Sequence, residues 1–270
     1  MRHWVPAVVL AAVAAAVPAC NRGGNPSGKP TVAVVTNCTA EFWSICEAGA
    51  KKAAAEKNVD LIFRQPRANT VEAQRDIITD VRQKGVSGLA VSVIDPQAQT
   101  PALKRIAGET NLLTMDNDAK ESGRKCYIGI DNYEAGKAVG RLVKKAKPAG
   151  TVVLFIGSMS SANAQERTGG VLDELSGGKG TATAAGTKLG AYTLDGVHTD
   201  DTDEEKAQNK AKDVLERLAG TPDLILVGLY AYNPKAILRA ARAKGVVGQV
   251  TIVGFDEDWV TLEGIGKGEI

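Results

Sequence analysis

Histidine is scarce in this chain of 270 residues, and its scarcity restricts the chemistry that the protein can perform. The two histidines are His3, close to the N-terminus, and His198, in a polar stretch. Acid–base catalysis near neutral pH and most zinc sites depend on histidine. The phosphate-binding sequence Gly-x-x-x-x-Gly-Lys-Ser/Thr is also missing, so any ATP hydrolysis must belong to a partner. We predict a protein without a metal or cofactor.

An excess of charge of either sign is missing as well. The chain has 33 Lys and Arg against 31 Asp and Glu, for a formal net charge of +2, and no block of basic residues. This balance predicts neither nucleic acid nor an anionic membrane surface as a partner. The acidic run 200–205 lacks the glycine of a calcium-binding loop, and acids are common in the first turn of a helix.

Cysteines are few, and their number limits the disulfides that the chain can form. Besides Cys20 the sequence has Cys38, Cys46 and Cys126, an odd number without the C-x-x-C spacing of metal sites. At most one disulfide can join them. We expect buried free thiols.

The chain lacks an apolar run long enough for a comfortable transmembrane helix, but a shorter one follows the basic N-terminus. Residues 4–17 are rich in Ala and Val, which is typical of a secretory signal. Residues 17–20, Val-Pro-Ala-Cys, resemble a bacterial lipobox. We predict a signal peptide at 1–19, a lipid on Cys20 and a flexible tether at 20–30, hence an anchored periplasmic or extracytoplasmic protein. An ordinary signal peptide with an incidental cysteine is the alternative.

From residue 31 onward, short apolar strands alternate with helical patterns. The predicted strands are 32–36, 61–63, 89–94, 112–115, 127–130, 152–156, 224–227 and 250–255, with an extended segment at 189–194. The predicted helices are 40–57, 71–84, 100–109, 135–145, 163–175, 204–218, 234–244 and a short one near 262. Such alternation is typical of parallel sheets covered on both faces. We predict an α/β fold of two doubly wound parallel-sheet lobes, 31–131 and 132–270, around a ligand cleft.

Two predicted strands end in a carboxylate. Residues 112–115 lead into Asp116, and residues 250–255 lead into Asp256. Because ligands of open parallel sheets bind outside the carboxyl ends of the strands, we expect both acids to face one crevice that holds a small polar ligand. Each aspartate could instead cap a following helix.

A series of short motifs resembles the type I periplasmic sugar-binding proteins, the ribose-, galactose- and xylose-binding group that serves ABC transporters. The motifs are Phe42-Trp43, Gly85-Val86-Ser87-Gly88-Leu89, Asp95-Pro96, Thr114-Met115-Asp116, Ile128-Gly129-Ile130-Asp131-Asn132, Ala135-Gly136, Gln165-Glu166-Arg167 and Val253-Gly254-Phe255-Asp256. The resemblance covers essentially all of 31–270. It implies that two lobes close by a hinge motion over a pentose or hexose and present it to a membrane permease, without catalysis.

The resemblance also implies a set of ligand-binding residues. An aromatic pair that sandwiches the sugar ring matches Phe42 and Trp43, the two acids match Asp116 and Asp256, and the arginine matches Arg167. Of the aromatic pair, we expect Trp43 to be the more exposed. Phe42 would then belong to the core face of helix 40–57, together with Ile45, Cys46, Gly49, Ala50 and Ala53. The alternative for Arg167 is a surface charge.

Departures from the family pattern leave the particular sugar open. Asn117 follows Asp116 where the ribose-binding type has arginine. Tyr230 or Asn233 is predicted to replace an asparagine of that type, and Asn37 is predicted to bond a hydroxyl. Family members continue beyond the equivalent of Ile270, so we expect a truncated chain with an incomplete second lobe.

Two other functions are compatible with the same residues. A sugar sensor coupled to a chemoreceptor or sensor kinase would use the same pocket. A secreted glycoside-acting enzyme would use Asp116 and Asp256 as a carboxylate pair, whose separation sets the stereochemical outcome.

Overall fold

The computed structural model describes residues 28–270, so the predicted signal peptide, Cys20 and most of the predicted tether lie outside the described residues. The strands are β1 (Thr31–Val35), β2 (Asp60–Arg64), β3 (Gly88–Val91), β4 (Asn111–Met115), β5 (Tyr127–Ile128), β6 (Gly150–Ile156), β7 (Lys188–Leu189), β8 (Tyr192–Thr199), β9 (Leu224–Gly228) and β10 (Thr251–Val253). The helices are α1 (Glu41–Lys57), α2 (Val71–Gln83), α3 (Pro96–Ala107), α4 (Asn132–Ala146), α5 (Ala162–Ser176), α6 (Glu204–Arg217), α7 (Tyr232–Lys244) and α8 (Trp259–Gly266).

The strands form two sheets of five. The first has the order β2-β1-β3-β4-β5 and is parallel throughout. The second has the order β10-β9-β6-β8-β7 and is parallel except for β7, which pairs antiparallel with β8. Parallel strands buried on both faces explain the uninterrupted apolar runs of β6 and β9. The predicted α/β fold of two parallel-sheet lobes is confirmed.

The chain passes from the first lobe to the second through residues 129–131, between β5 and α4. Asp131 caps α4, because its side chain accepts a 3.0 Å hydrogen bond from the backbone N–H of Glu134. This cap fixes the start of the helix at the crossover. The limits of the two lobes, 31–131 and 132–270, stay predictions.

The limits of several predicted elements differ from the structure, and two differences are instructive. Helix α3 begins at Pro96, four residues earlier than predicted, because Asp95 accepts hydrogen bonds from the backbone N–H groups of Gln97 and Ala98. The predicted extended segment 189–194 is the end of β7 and the start of β8, and β8 continues to Thr199. The half-buried polar residues of β8 interrupt its apolar pattern, so the strand is difficult to predict from the sequence.

The predicted core face of α1 is wrong, because the helix is rotated about its axis by about one residue position from the predicted orientation. Trp43 and Ala54 are buried, whereas Phe42 is 37% exposed and Ile45 is 64% exposed. Alanines occur on both sides of this helix, so the hydrophobic periodicity that should set its rotation is weak. Trp43, predicted to be the exposed aromatic residue, has only 3% of its surface exposed.

The three cysteines that the structure describes are free thiols. We expected all three thiols to be buried. Cys38 and Cys46 are partly buried, but Cys126 is exposed. Burial raises the pKa of the Cys38 thiol to about 11. Within residues 28–270, no helix is long and apolar enough to cross a bilayer.

Candidate functional site

A cavity of about 210 Å³ lies between the carboxyl ends of the two sheets. Seven of the eight side chains predicted to bind ligand line it: Asn37, Phe42, Trp43, Asp116, Arg167, Tyr230 and Asp256. Pockets for drug-sized ligands occupy roughly 300–1,000 Å³. A cavity below that range, with walls from both lobes, suits a small polar molecule.

Asp116 enters the cavity from the end of β4 in a left-handed backbone conformation, with φ of 58°. Its Oδ2 accepts a 2.8 Å hydrogen bond from the hydroxyl of Ser92 and a 3.4 Å bond from Nδ2 of Asn117. Among the described residues no side chain donates to Oδ1, which leaves this oxygen for a ligand hydroxyl. Burial raises the pKa of the carboxyl, although Ser92 and the charge of Arg167 oppose the shift.

Asp256 occupies the matching position after β10, with φ of 63°. Non-glycine residues rarely adopt positive φ, and aspartate is among those that tolerate it. Burial raises its pKa to about 6, with Arg167 opposing and Glu257 and Asp116 adding to the shift. Asp258, rather than Asp256, caps the following helix α8. The helix-capping alternative is therefore wrong for Asp256, and no helix of the described chain is capped by Asp116.

Arg167 is held with its guanidinium in the cleft wall and is 6% exposed, so the surface-charge alternative is wrong. Its Nε donates to Oδ1 of Asn132 at 2.8 Å, and its Nη1 donates to the backbone oxygen of Leu229 at 2.9 Å. The guanidinium also lies 4.2 Å from the ring centroid of Phe255. These contacts fix one edge of the group and leave Nη2 as a donor for adjacent ligand oxygens.

The two aromatic residues at the start of α1 form an edge-to-face pair, with ring centroids 5.0 Å apart. Nε1 of the Trp43 indole donates a 3.0 Å hydrogen bond to Oδ1 of Asn37. Trp43 is therefore fixed in the wall, and Phe42 presents the more exposed ring. The bond also orients Asn37, whose Nδ2 stays available to a ligand.

Tyr230 and Asn233, two alternatives for one contact, occupy different places. Tyr230 lines the cavity, but its hydroxyl donates to Oδ1 of Asn163 at 2.7 Å and lies 2.9 Å from the hydroxyl of Ser161. Asn233 is fully buried; its Oδ1 accepts from the backbone N–H of Tyr230, and its Nδ2 donates to Asp200. The prediction of Asn233 as a direct contact is corrected, because its amide is occupied behind the wall.

Sequence reasoning missed a carboxylate at the end of β8. Asp200 is 2% exposed and accepts hydrogen bonds from the hydroxyl of Tyr232, from Nδ2 of Asn233 and from the backbone N–H of Thr202. Burial raises its pKa to about 7 despite these donors. Tyr232 lines the cavity, so Asp200 supports the wall from behind. Recognition of β8 as a strand would have placed this acid at a strand end.

The wall of the cavity also carries a buried cation. The ammonium group of Lys235 lies 3.0 Å from a carboxylate oxygen of Glu204 and 3.0 Å from one of Asp258, and all three residues line the cavity. In the part of the chain that the structure describes, no three His, Cys, Asp or Glu side chains are placed to hold a metal ion.

A comparison with known families identifies the architecture. A family profile described as "periplasmic binding protein domain" matches residues 32–270. The chain belongs to this family. Membership of a binding-protein family confirms the prediction of a non-catalytic protein, and the glycoside-acting enzyme is therefore wrong.

Individual known proteins are similar to this chain over most of its length. The D-ribose/D-allose-binding protein of Pseudomonas aeruginosa is 28% identical, over 94% of this chain and 79% of its own. The solute-binding protein of an ABC transporter from Burkholderia graminis, solved with D-arabinose, has a TM-score of 0.80 at 24% identity, over 89% of this chain and 81% of its own. A glucose-galactose binding protein of Geobacillus stearothermophilus has a TM-score of 0.78 at 24% identity, over 90% of this chain and 83% of its own.

Proposed function

We propose that this protein captures a monosaccharide between its two lobes outside the cytoplasm and delivers it to the permease of an ABC transporter. The observation that carries the proposal is the meeting of Asp116, Asp256 and Arg167 in one cavity lined by Phe42 and Trp43. Asp116 follows a strand of the first sheet, whereas Asp256 and Arg167 belong to the second lobe. A ligand bound by all three would bridge the lobes.

The chemistry of these groups matches that of a sugar. Vicinal hydroxyls can donate to the two carboxylates and accept from the guanidinium, and charge-assisted hydrogen bonds of this kind are strong. The ring of Phe42 offers an apolar surface for the C–H face of a pyranose or furanose. Similar proteins named for ribose, allose, glucose and galactose, and one solved with D-arabinose, support this ligand class.

We assign ligand contacts to Asn37, Phe42, Trp43, Asp116, Arg167, Tyr230 and Asp256. Tyr230 contributes its ring, because its hydroxyl is bonded to Asn163. We also retain the proposals of a signal peptide at 1–19 and of a lipid anchor on Cys20, which would place the cavity at the outer face of a membrane. A sensor that uses the same pocket stays an alternative prediction.

A thermal-shift scan tests the proposed ligand class. The chain from residue 20, with Cys20→Ser, is scanned against pentoses, hexoses, disaccharides and polyols. A sugar that binds only the folded state should stabilise it by about 2.7 kcal/mol at a hundredfold excess over its dissociation constant. The expected result is a shift by one or a few monosaccharides, with the sugar recovered unchanged.

Substitution of the two acids tests the proposed contacts. Asp116→Ala and Asp256→Ala should each reduce the shift strongly, because each removes a charged acceptor worth about 1.5–3 kcal/mol. Asp195→Ala, which changes an acid of β8 that pairs with Arg217 and does not line the cavity, should leave it unchanged. Folded variants of both site acids that bind as well as the parent would contradict the site assignment.

A further inference from the structure

The two lobes are joined across the cleft by a buried side chain that does not line the cavity. Asn117 follows Asp116 at the end of β4 and is 1% exposed. Its Oδ1 accepts a 3.1 Å hydrogen bond from the backbone N–H of Asn163, in the first turn of α5. Because Asn117 belongs to the first lobe and α5 to the second, separation of the lobes must break this bond.

The other contacts of Asn117 hold it to the first sheet and to the site. Its Nδ2 donates to Oδ2 of Asp116 at 3.4 Å, the oxygen that also accepts from Ser92. Its backbone oxygen accepts from the N–H of Val93, and its own N–H donates to the oxygen of Met115 at 2.6 Å. The position of Asn117 is thus fixed relative to the carboxylate that we assign to the ligand.

The partner residue is equally well fixed in the second lobe. Asn163 is 3% exposed, and its Oδ1 accepts from the hydroxyl of Tyr230 at 2.7 Å and from the hydroxyl of Ser161 at 3.0 Å. A continuous series of hydrogen bonds therefore runs from Asp116 through Asn117 and Asn163 to Tyr230. It joins ligand-facing groups of both lobes.

We propose that Asn117 is a positioning residue that couples the orientation of Asp116 to closure of the lobes. Its bond to Asn163 favours the closed arrangement of the lobes, and a ligand bound by Asp116 and Asp256 would join the same two lobes. This inference rests on the proposed function for its biological meaning, but its test requires no ligand. A second contact across the same junction joins Lys120 to Glu166 at 3.4 Å. These side chains are 72% and 37% exposed, so water screens their attraction.

The thiol of Cys38 offers a measurement of closure that requires no ligand. Cys38 lines the cavity and is partly buried, so it becomes more accessible when the lobes separate. In the full chain carrying Cys20→Ser, Cys46→Ser and Cys126→Ser, the alkylation rate of Cys38 by iodoacetamide reports the open population.

Asn117→Leu keeps the buried volume and removes both side-chain hydrogen bonds. A buried hydrogen bond shifts an equilibrium roughly 2- to 12-fold, and we expect Asn117→Leu to accelerate alkylation by that factor.

Two controls separate loss of closure from loss of stability. Lys120→Ala should leave the rate within about twofold of the parent, because its ion pair is exposed. Ala211 is fully buried in α6, so the thiol of an Ala211→Cys, Cys38→Ser chain reacts only on unfolding. Asn117→Leu should leave that rate unchanged. Equal acceleration of both thiols, or no acceleration at Cys38, would overturn the proposal, whereas failure of the sugar scan would count against the proposed function alone.

Discussion

Single side chains of the site are placed by unusual backbone conformations and by buried partners. Asp116 and Asp256 both adopt positive φ directly after a parallel strand, at 58° and 63°. The reversal of the chain turns each carboxylate toward the cleft, and such strained residues concentrate at functional sites. The sequence identifies both acids because they follow apolar strands. It does not reveal the exposures of Phe42 and Trp43, because adjacent aromatic residues at a helix start fit either rotation of the helix.

Asp200 should make the stability of the protein depend on pH. Its folded-state pKa of about 7 lies above the ordinary value of 3.8. Between these values the folded protein retains a proton that the unfolded chain has lost, so stability falls as pH rises through this window, by roughly 4 kcal/mol at most. Asp200→Asn removes this pH-dependent contribution to the free energy of unfolding. We therefore expect the stability of the variant relative to the parent to increase between pH 4 and pH 7.

Urea unfolding at pH 4, 5, 6 and 7 measures this difference. Glu216→Gln is the control, because pairing with Lys244 lowers the pKa of Glu216 and places its contribution at lower pH. Its difference from the parent should stay constant between pH 5 and pH 7. Parallel stability curves for Asp200→Asn and the parent would contradict the assignment of Asp200 as a carboxyl that titrates near neutral pH.

Helices and strands position these side chains through close packing that the sequence only partly reveals. Strands β6 and β9 can be predicted because they are uninterrupted apolar runs. Strand β8 can be predicted only in part, because half-buried polar residues interrupt its pattern. The close approach of α4 and α5, which carries Arg167 into the cleft, depends on small residues whose partners are distant in sequence. The helical spacing of Gly136, Val139, Gly140 and Val143 indicates a packed face of α4 but does not identify its partner.

Substitution of Gly170 should show how tightly α4 and α5 pack. A Cβ atom at this position would lie 2.1 Å from the backbone oxygen of Tyr133 in α4, so Gly170→Ala must displace one helix. We expect a loss of about 1–3 kcal/mol in the free energy of unfolding. A Cβ atom at the neighbouring Gly169 would meet no atom beyond its own stretch of helix within 4 Å, and Gly169→Ala should stabilise the helix by about 0.5–1 kcal/mol. Equal effects at both glycines in denaturant unfolding would contradict the close packing.

The arrangement of the two lobes follows from the order of strands along the chain. The strands of the first sheet all precede residue 129, and those of the second all follow it, within the described residues. This division could be predicted, because strand and helix alternate on both sides of the crossover. The contacts across the cleft could not, since Asn117 and Asn163 are ordinary polar residues until the fold brings them together.

Ligand binding should make the two lobes more compact. The site acids belong to different sheets, and the chain between them crosses the junction at 129–131, so a ligand held by both acids favours the closed arrangement. Small-angle X-ray scattering should therefore show a smaller radius of gyration when the sugar found in the thermal-shift scan is added. Asp256→Ala at the same sugar concentration should keep the ligand-free value, because it loses the second-lobe contact. A ligand that stabilises the protein without changing its dimensions would contradict closure of the lobes by the ligand.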